Sequence, residues 1–297
     1  MPRVKRPEYA RINWRRLTAE RNRKWEQMKQ AFASEGIIGR PLWDSAPGFD
    51  PSFGQNAPRL FVLPLRPERG MVIVCAGGAF LFQSSNEAKP VAEFFHNAGL
   101  NAAVLEYRVK PYEVPAIPIQ DGLRAVRFVR TYAAQWGIPQ DKIAIGGFSA
   151  GGMLSAGVAT HYDNGDPKAR DPVDRASSRP DAVLLLYGVE SPQAPERRTQ
   201  VYDPDTARAV ALQNPIFNLR PDSPPFFLFQ TLMDDPHGTL SFAFACADRG
   251  IPFELHTFPE GPHGCALYDG KDPDSPCFPH TAHWANLAAE WLKGYGF

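Results

Sequence analysis

Apolar residues fall into a regular alternation from residue 59 onward. Short, nearly continuous apolar runs occur at LFVLPL (60–65), MVIVCA (71–76), NAAVLEY (101–107), KIAIGG (142–147), AVLLLYG (182–188), PFFLFQT (225–231) and FELHTF (253–258). Between most of them lie helix-length amphipathic segments at 87–98, 118–136, 150–161, 239–249 and 279–293. A strand that is apolar at every position has both faces covered, and strands joined through helices run parallel. The pattern therefore predicts an α/β fold, a mostly parallel sheet with helices on both faces. Two polar, proline-bearing stretches, 162–180 and 190–222, break the alternation. The second falls where an insertion would fold over the carboxyl edge of the sheet as a lid.

Before residue 59 the texture differs. Trp25, Met28 and Phe32 recur at helical spacing, and Thr18, followed by Ala19 and Glu20, is the expected N-cap. Residues 35–58 are rich in Pro, Gly and aromatics and read as a long ordered arm. The expected division is an N-terminal helix and arm over 1–58 and one larger domain over 59–297. The arm could cover a site, exchange between subunits or pad the sheet, which leaves a homo-oligomer open.

Charge narrows the partners. Residues 1–24 hold nine Lys or Arg against two acids, yet the whole chain carries 32 of each sign. With no net field, the basic segment reads as a solvated helix face and not as a nucleic-acid arm. The longest apolar runs are far too short to span a bilayer, and no apolar leader follows the basic N-terminus. Cys75, Cys246, Cys265 and Cys277 are far apart with no CxxC spacing, so they are expected as free thiols in a reducing, cytoplasmic setting.

Candidate chemistry lies where strands end, since open α/β sheets collect ligands at their carboxyl edge. After KIAI comes Gly147-Phe148-Ser149-Ala150-Gly151, a G-x-S-x-G between strand and helix. Such a turn is tight, so small residues must flank the serine, whose hydroxyl projects clear of the sheet. A phosphate cradle does not fit. A Walker loop needs Lys then Ser or Thr where Gly152 and Met153 stand, and no dinucleotide glycine series starts at Gly146 or Gly147.

A serine nucleophile needs a base and a group that orients the base. In a fold of this kind the acid and then the histidine follow the serine along the chain. Asp234 and Asp235 end a strand in FFLFQTLMDDPHG, and His263 follows the next strand in FPEGPHGCAL. Of the other histidines, His256 lies within a strand and His237 beside the acid loop. His280 and His283 at a helix start lack further ligands at metal spacing. Ser149, His263 and an aspartate require neither metal nor cofactor. The oxyanion needs backbone donors: the Ala150 amide is one, and the loop Cys75-Ala76-Gly77-Gly78-Ala79-Phe80 is the expected source of the rest.

The ordered set VIVCAGGAF, VLEYRVKP, PIQDGLRAVRFVR, IAIGGFSAGG, PPFFLFQTLMDDP and PFELHTFPEGPHG resembles the α/β-hydrolase esterases. The nearest branch is that of acetyl esterases and acetylxylan or feruloyl esterase-like proteins, and the likeness covers about residues 59–295. The resemblance implies a serine carboxylesterase acting on small acyl esters, often acetyl groups on sugars, with Ser149 as nucleophile, His263 as base, and Gly78 and Ala79 as oxyanion-loop amides. The Asp-Asp-Pro signature points to Asp235 as the acid, whereas ungapped counting from Gln230 points to Asp234; Asp235 is taken, with Asp234 as the alternative. Ala79 replaces a third glycine, which is tolerable only if its φ is negative. The same triad could serve a peptidase, a lactonase or a thioesterase, and the fold could serve a binding module without turnover.

Overall fold

A computed structural model describes residues 12–189, 202–272 and 275–297. All seven apolar runs form strands: β2 (Arg59–Val62), β3 (Met71–Cys75), β4 (Asn101–Glu106), β5 (Ile143–Phe148), β6 (Ala182–Leu186), β7 (Phe226–Thr231) and β8 (Phe253–Phe258). An eighth strand, β1 (Arg40–Pro41), lies inside the segment expected as an arm; two residues carry no readable pattern. The sheet order is β1-β2-β4-β3-β5-β6-β7-β8. β1/β2 and β2/β4 pair antiparallel, and the other neighbours run parallel. β2 stops short of Pro64, which has no N–H for a ladder.

The alternation of side chains sorts each strand into two cores. Met71, Ile73 and Cys75 of β3 join one apolar layer with Val126 and Val158, while Val72 and Val74 join the other with Val91 and Phe95. The first layer is covered by α3 (Ala116–Trp136), α4 (Ala150–His161), α5 (Pro204–Leu212) and α7 (His237–Asp248). The second is covered by α1 (Trp14–Ser34), α2 (Lys89–Asn97) and α8 (Pro279–Gly294). A short α6 (Pro215–Asn218) sits between α5 and β7. Burial of strands on both sides is what makes their sequence apolar at successive positions, and each fully buried Phe or Leu contributes about 2–3 kcal/mol.

The order in which strands are added reverses at the centre of the sheet: β4 is placed on one side of β3 and β5 on the other. The carboxyl ends of β3 and β5, with Cys75 paired beside Gly147, therefore form the topological switch point where a crevice opens.

α1 buries Trp25, Met28 and Phe32 as their spacing predicts, and Phe32 stacks on Phe61 with ring centroids 5.2 Å apart. It starts earlier than expected. Asn13, and not Thr18, is the cap: its side chain accepts from the Arg16 amide at 3.1 Å, satisfying one of the orphan donors of the first turn. Arg15, Arg16 and Arg23 are exposed, as a solvated face requires. Trp25 Nε1 and Lys29 Nζ donate to Glu106 Oε1 at 3.0 and 3.1 Å, which anchors the helix to the end of β4. Of the expected lid, 190–201 lies outside the described residues; α5 and α6 occupy the remainder. Among the described residues no helix is long and apolar enough to cross a membrane.

Candidate active site

The turn after β5 is shaped by lack of space. A Cβ on Gly147 would lie 2.4 Å from the Gly151 backbone, and one on Gly151 would lie 2.1 Å from the Cys75 carbonyl oxygen. Neither position admits any side chain. Neither glycine has a positive φ; the strained residue is Ser149 itself, at φ 50 and ψ −120. Non-glycine residues in such sparsely populated regions cost about 1–3 kcal/mol, offset here by the packing around them. The strain lifts Ser149 off the end of β5 and starts α4 at Ala150. First-turn amides of a helix have no intrahelical acceptor, so the Ala150 N–H is available to a ligand.

His263 Nε2 lies 2.8 Å from Ser149 Oγ, and its Nδ1 lies 2.6 Å from Asp234 Oδ2. The expectation for Asp235 is thereby corrected. Asp235 Oδ1 meets His237 Nδ1 at 2.6 Å and accepts from the His237 amide, so its carboxylate caps the entry to α7. The cause lies at the end of β7: Gln230 Nε2 donates to the Asp235 carbonyl oxygen at 2.8 Å and lies 3.4 Å from Asp234 Oδ2. That holds the peptide so that Asp234, buried, points inward. His256 pairs with Glu254 on the edge strand, and His280 and His283 are exposed at the start of α8.

Several side chains fix the His263 loop. Thr231 Oγ1 donates to the Gly261 carbonyl at 2.6 Å and Tyr268 Oη to that of Pro262 at 2.8 Å. Asn86 Nδ2 donates to the Gly264 carbonyl at 3.0 Å, and Trp284 Nε1 to that of Ala266 at 3.0 Å. Trp284 is in turn stacked on Phe229, so the second core reaches directly into the loop.

The loop after β3, the expected source of oxyanion donors, differs from expectation in one respect. Ala79 adopts φ 53, not a negative value, and Phe80 follows at φ 54. The fold overrides the local preference: Leu81 N donates to the Gly78 carbonyl and Lys110 N to that of Phe80, closing the turn. An L-residue in this region costs about 1–2 kcal/mol. Among the described residues the amides of Gly78 and Ala79 donate to no protein acceptor. That of Gly77 is occupied by Glu87 Oε2 at 2.7 Å.

Ser149, Ala150, His263, Asp234, Gly78 and Ala79 line a cleft of about 280 Å³. Its far wall comes from α1, through Trp14, Leu17 and Arg21 at helical spacing. Sequence periodicity marked the buried face of this helix but carried no sign of where the helix lay. Glu87 and Tyr187, both buried beside His263, were also missed. The expected helix over 87–98 made Glu87 its first residue, whereas α2 starts at Lys89 and Glu87 closes a 3₁₀ turn directed inward. Burial pushes the Cys75 thiol up to about 12 and that of Cys265 to about 11, so both stay protonated at neutral pH. All four cysteines are free, as expected.

Sheet, switch-point crevice and strained serine turn define an α/β-hydrolase. Residues 65–236, more than half of the chain, match the BD-FAE family, and the chain belongs to that family. Endo-1,4-beta-xylanase B of Butyrivibrio fibrisolvens is 34% identical over 217 residues, covering 67% of this chain and 33% of that protein. An acetylxylan esterase of Xylanibacter ruminicola is 33% identical over 99 residues, or 33% of this chain and 20% of its own length. The chain thus spans a third or less of these relatives. Among solved structures, an acetyl ester-xyloside bifunctional hydrolase from Caldicellulosiruptor lactoaceticus superposes with a TM-score of 0.77 at 33% identity, over 88% of this chain and 97% of that one. A carboxylesterase from Lactobacillus plantarum does so with a TM-score of 0.70 at 26% identity, over 88% and 98%.

Proposed function

We propose that the chain is a carboxylesterase that hydrolyses short acyl esters, acetyl groups on carbohydrate in the first instance, through an acyl-enzyme on Ser149. The observation that carries this reading is the hydrogen-bonded chain Ser149–His263–Asp234, with steps of 2.8 and 2.6 Å. Ser149 Oγ attacks the ester carbonyl carbon as His263 Nε2 takes the hydroxyl proton, and Asp234 holds the imidazole in the tautomer that leaves Nε2 free to accept it. The amides of Gly78, Ala79 and Ala150 receive the oxyanion. The bond from carbon to the leaving alcohol then breaks, and His263 returns its proton to that alcohol. Water attacks the acyl-enzyme by the same route, with His263 taking a water proton and handing it back to Ser149 Oγ as the acid leaves.

The narrow cleft supports a short acyl group, and the partly buried Trp14 on its wall offers a flat apolar face of the kind on which sugar rings pack. The names of the xylan-acting relatives point the same way. The test is hydrolysis of p-nitrophenyl acetate and of acetylated xylo-oligosaccharide by wild type and Ser149→Ala. Release of acetate by wild type alone is expected; equal rates in the two proteins sink the proposal.

A further inference from the structure

Glu87 is 2% exposed and has no role in the proton transfers above. Its two carboxylate oxygens are each taken by a different part of the site. Oε2 accepts from the Gly77 amide at 2.7 Å, at the base of the oxyanion loop. Oε1 accepts from Tyr187 Oη at 2.7 Å, at the end of β6. Tyr187 Oη itself accepts from the Ala266 amide at 3.1 Å, and the Tyr187 ring packs against His263 with centroids 4.9 Å apart. One side chain therefore joins the oxyanion loop to the loop that carries His263.

The chemistry at this point demands a carboxylate. Two donors converge from opposite sides, and only an ionised Asp or Glu presents two acceptors without a hydrogen of its own. An amide would turn its NH₂ toward one of them. Keeping a charge here is expensive: burial raises the Glu87 carboxyl above its ordinary value, although the Tyr187 hydroxyl, His263 and the Gly77 amide oppose the rise. If packing were all that mattered, an apolar residue of similar volume would serve as well or better. Space is also committed, since a Cβ on Gly77 would lie 2.7 Å from Glu87 Oε2 and 2.9 Å from Ser149 Cβ. Any movement of the carboxylate is felt at the residue that precedes the two oxyanion amides.

We infer that Glu87 is a positioning residue for the acyl transfer: its carboxylate holds the Gly77 amide, so that the amides of Gly78 and Ala79 are set against the oxyanion, and locks that loop through Tyr187 to the His263 loop. The inference rests on the proposed ester hydrolysis. An oxyanion donor exists to bind the transition state, so its displacement lowers kcat and leaves KM nearly unchanged.

The experiment compares wild type, Glu87→Gln and Tyr187→Phe on p-nitrophenyl acetate, with binding of a methyl trifluoromethyl ketone, whose serine adduct carries the oxyanion. Glu87→Gln is expected to lose about 10²-fold in kcat, the scale of a misplaced or missing donor, with KM within about twofold. Ketone affinity falls in the same proportion as kcat. Tyr187→Phe keeps the ring on His263 and the bond to Gly77, and loses about three- to tenfold, again in kcat. A Glu87→Gln protein with wild-type kcat and ketone affinity overturns the inference, as does a loss confined to KM. Should Glu87→Gln fail to fold by circular dichroism, Tyr187→Phe decides: unchanged kcat overturns the inference, and a fall in kcat at constant KM upholds it. A wild type that neither hydrolyses the ester nor binds the ketone overturns the esterase reading itself, an outcome distinct from an active wild type matched by its variants.

Discussion

The turn after β5 and the loop after β7 stand two strands apart on the same sheet edge, and they are built on opposite logics. Around Ser149 the neighbours that matter are backbone atoms. The Cys75 carbonyl and the Gly151 peptide leave no volume at Gly147 or Gly151, so steric exclusion dictates the residue type. Between β7 and α7 stand Leu232, Met233, Asp234, Asp235 and Pro236, none of them a glycine. Asp234 and Asp235 are adjacent and identical, and their fates are set by hydrogen bonds: one carboxylate is drawn to His263, the other to His237. Crowding of backbone writes itself into a sequence because only glycine meets it. Orientation of a polar side chain does not, because both candidates are the same residue.

The sharpest way to break this comparison is at Ser149. Replacing it with Ala removes the proposed nucleophile and is expected to lower kcat for p-nitrophenyl acetate by about 10⁵–10⁶-fold, with the fold intact by circular dichroism. A residual rate above about one hundredth of wild type breaks the reading of this turn as catalytic. Next in size is Asp234→Asn, which leaves His263 free to take the wrong tautomer. A loss of about 10⁴-fold in kcat is expected. Asp235→Asn at the neighbouring position should lose less than about tenfold. Reversal of that order would restore Asp235 as the orienting acid. Gly151→Ala probes the steric half. Its Cβ meets the Cys75 carbonyl oxygen at 2.1 Å, a backbone atom that cannot swing aside, so the sheet or α4 must shift. Destabilisation of about 1–3 kcal/mol or more is expected, read as a lower Tm or urea midpoint. A variant as stable as wild type would show that the turn has slack.

The same contrast explains what could be read in advance. Strands β3 to β7 announced themselves because burial on both faces forces apolar residues at successive positions; β1, two exposed residues at an edge, had no such constraint. Ser149 and His263 stood out because their glycine-flanked loops follow core strands. Ala79 misled because its expected negative φ was inferred from local cost, whereas the closed turn between Gly78 and Phe80 imposes φ 53. Glu87 was hidden by a helical pattern that ran two residues too far toward the N-terminus, which turned an inward carboxylate into an ordinary first-turn acid. In each miss, a tertiary contact acted on a residue whose neighbours in the chain gave no sign of it.

α1 belongs to neither logic, and it carries the smallest effect. Its buried residues Trp25, Met28 and Phe32 hold it to the second core, while Trp14, Leu17 and Arg21 face the cleft. The two sets lie on different stretches of the helix, so the cleft wall can be altered without loosening the anchor. Trp14 is partly buried and lines the cleft, so its ring contributes apolar surface to whatever occupies it. If the leaving group is a sugar, Trp14→Ala should raise KM for acetylated xylo-oligosaccharide by about tenfold, the equivalent of about 1.4 kcal/mol of lost contact. kcat should stay within about twofold, because a wall remote from the carbonyl binds ground state and transition state alike. p-Nitrophenyl acetate, whose leaving group is a single small ring, serves as the control and should change by less than about threefold in KM. An equal rise for both substrates would place Trp14 on the acyl side of the cleft; no rise for either would remove α1 from substrate binding and leave it a support for the sheet.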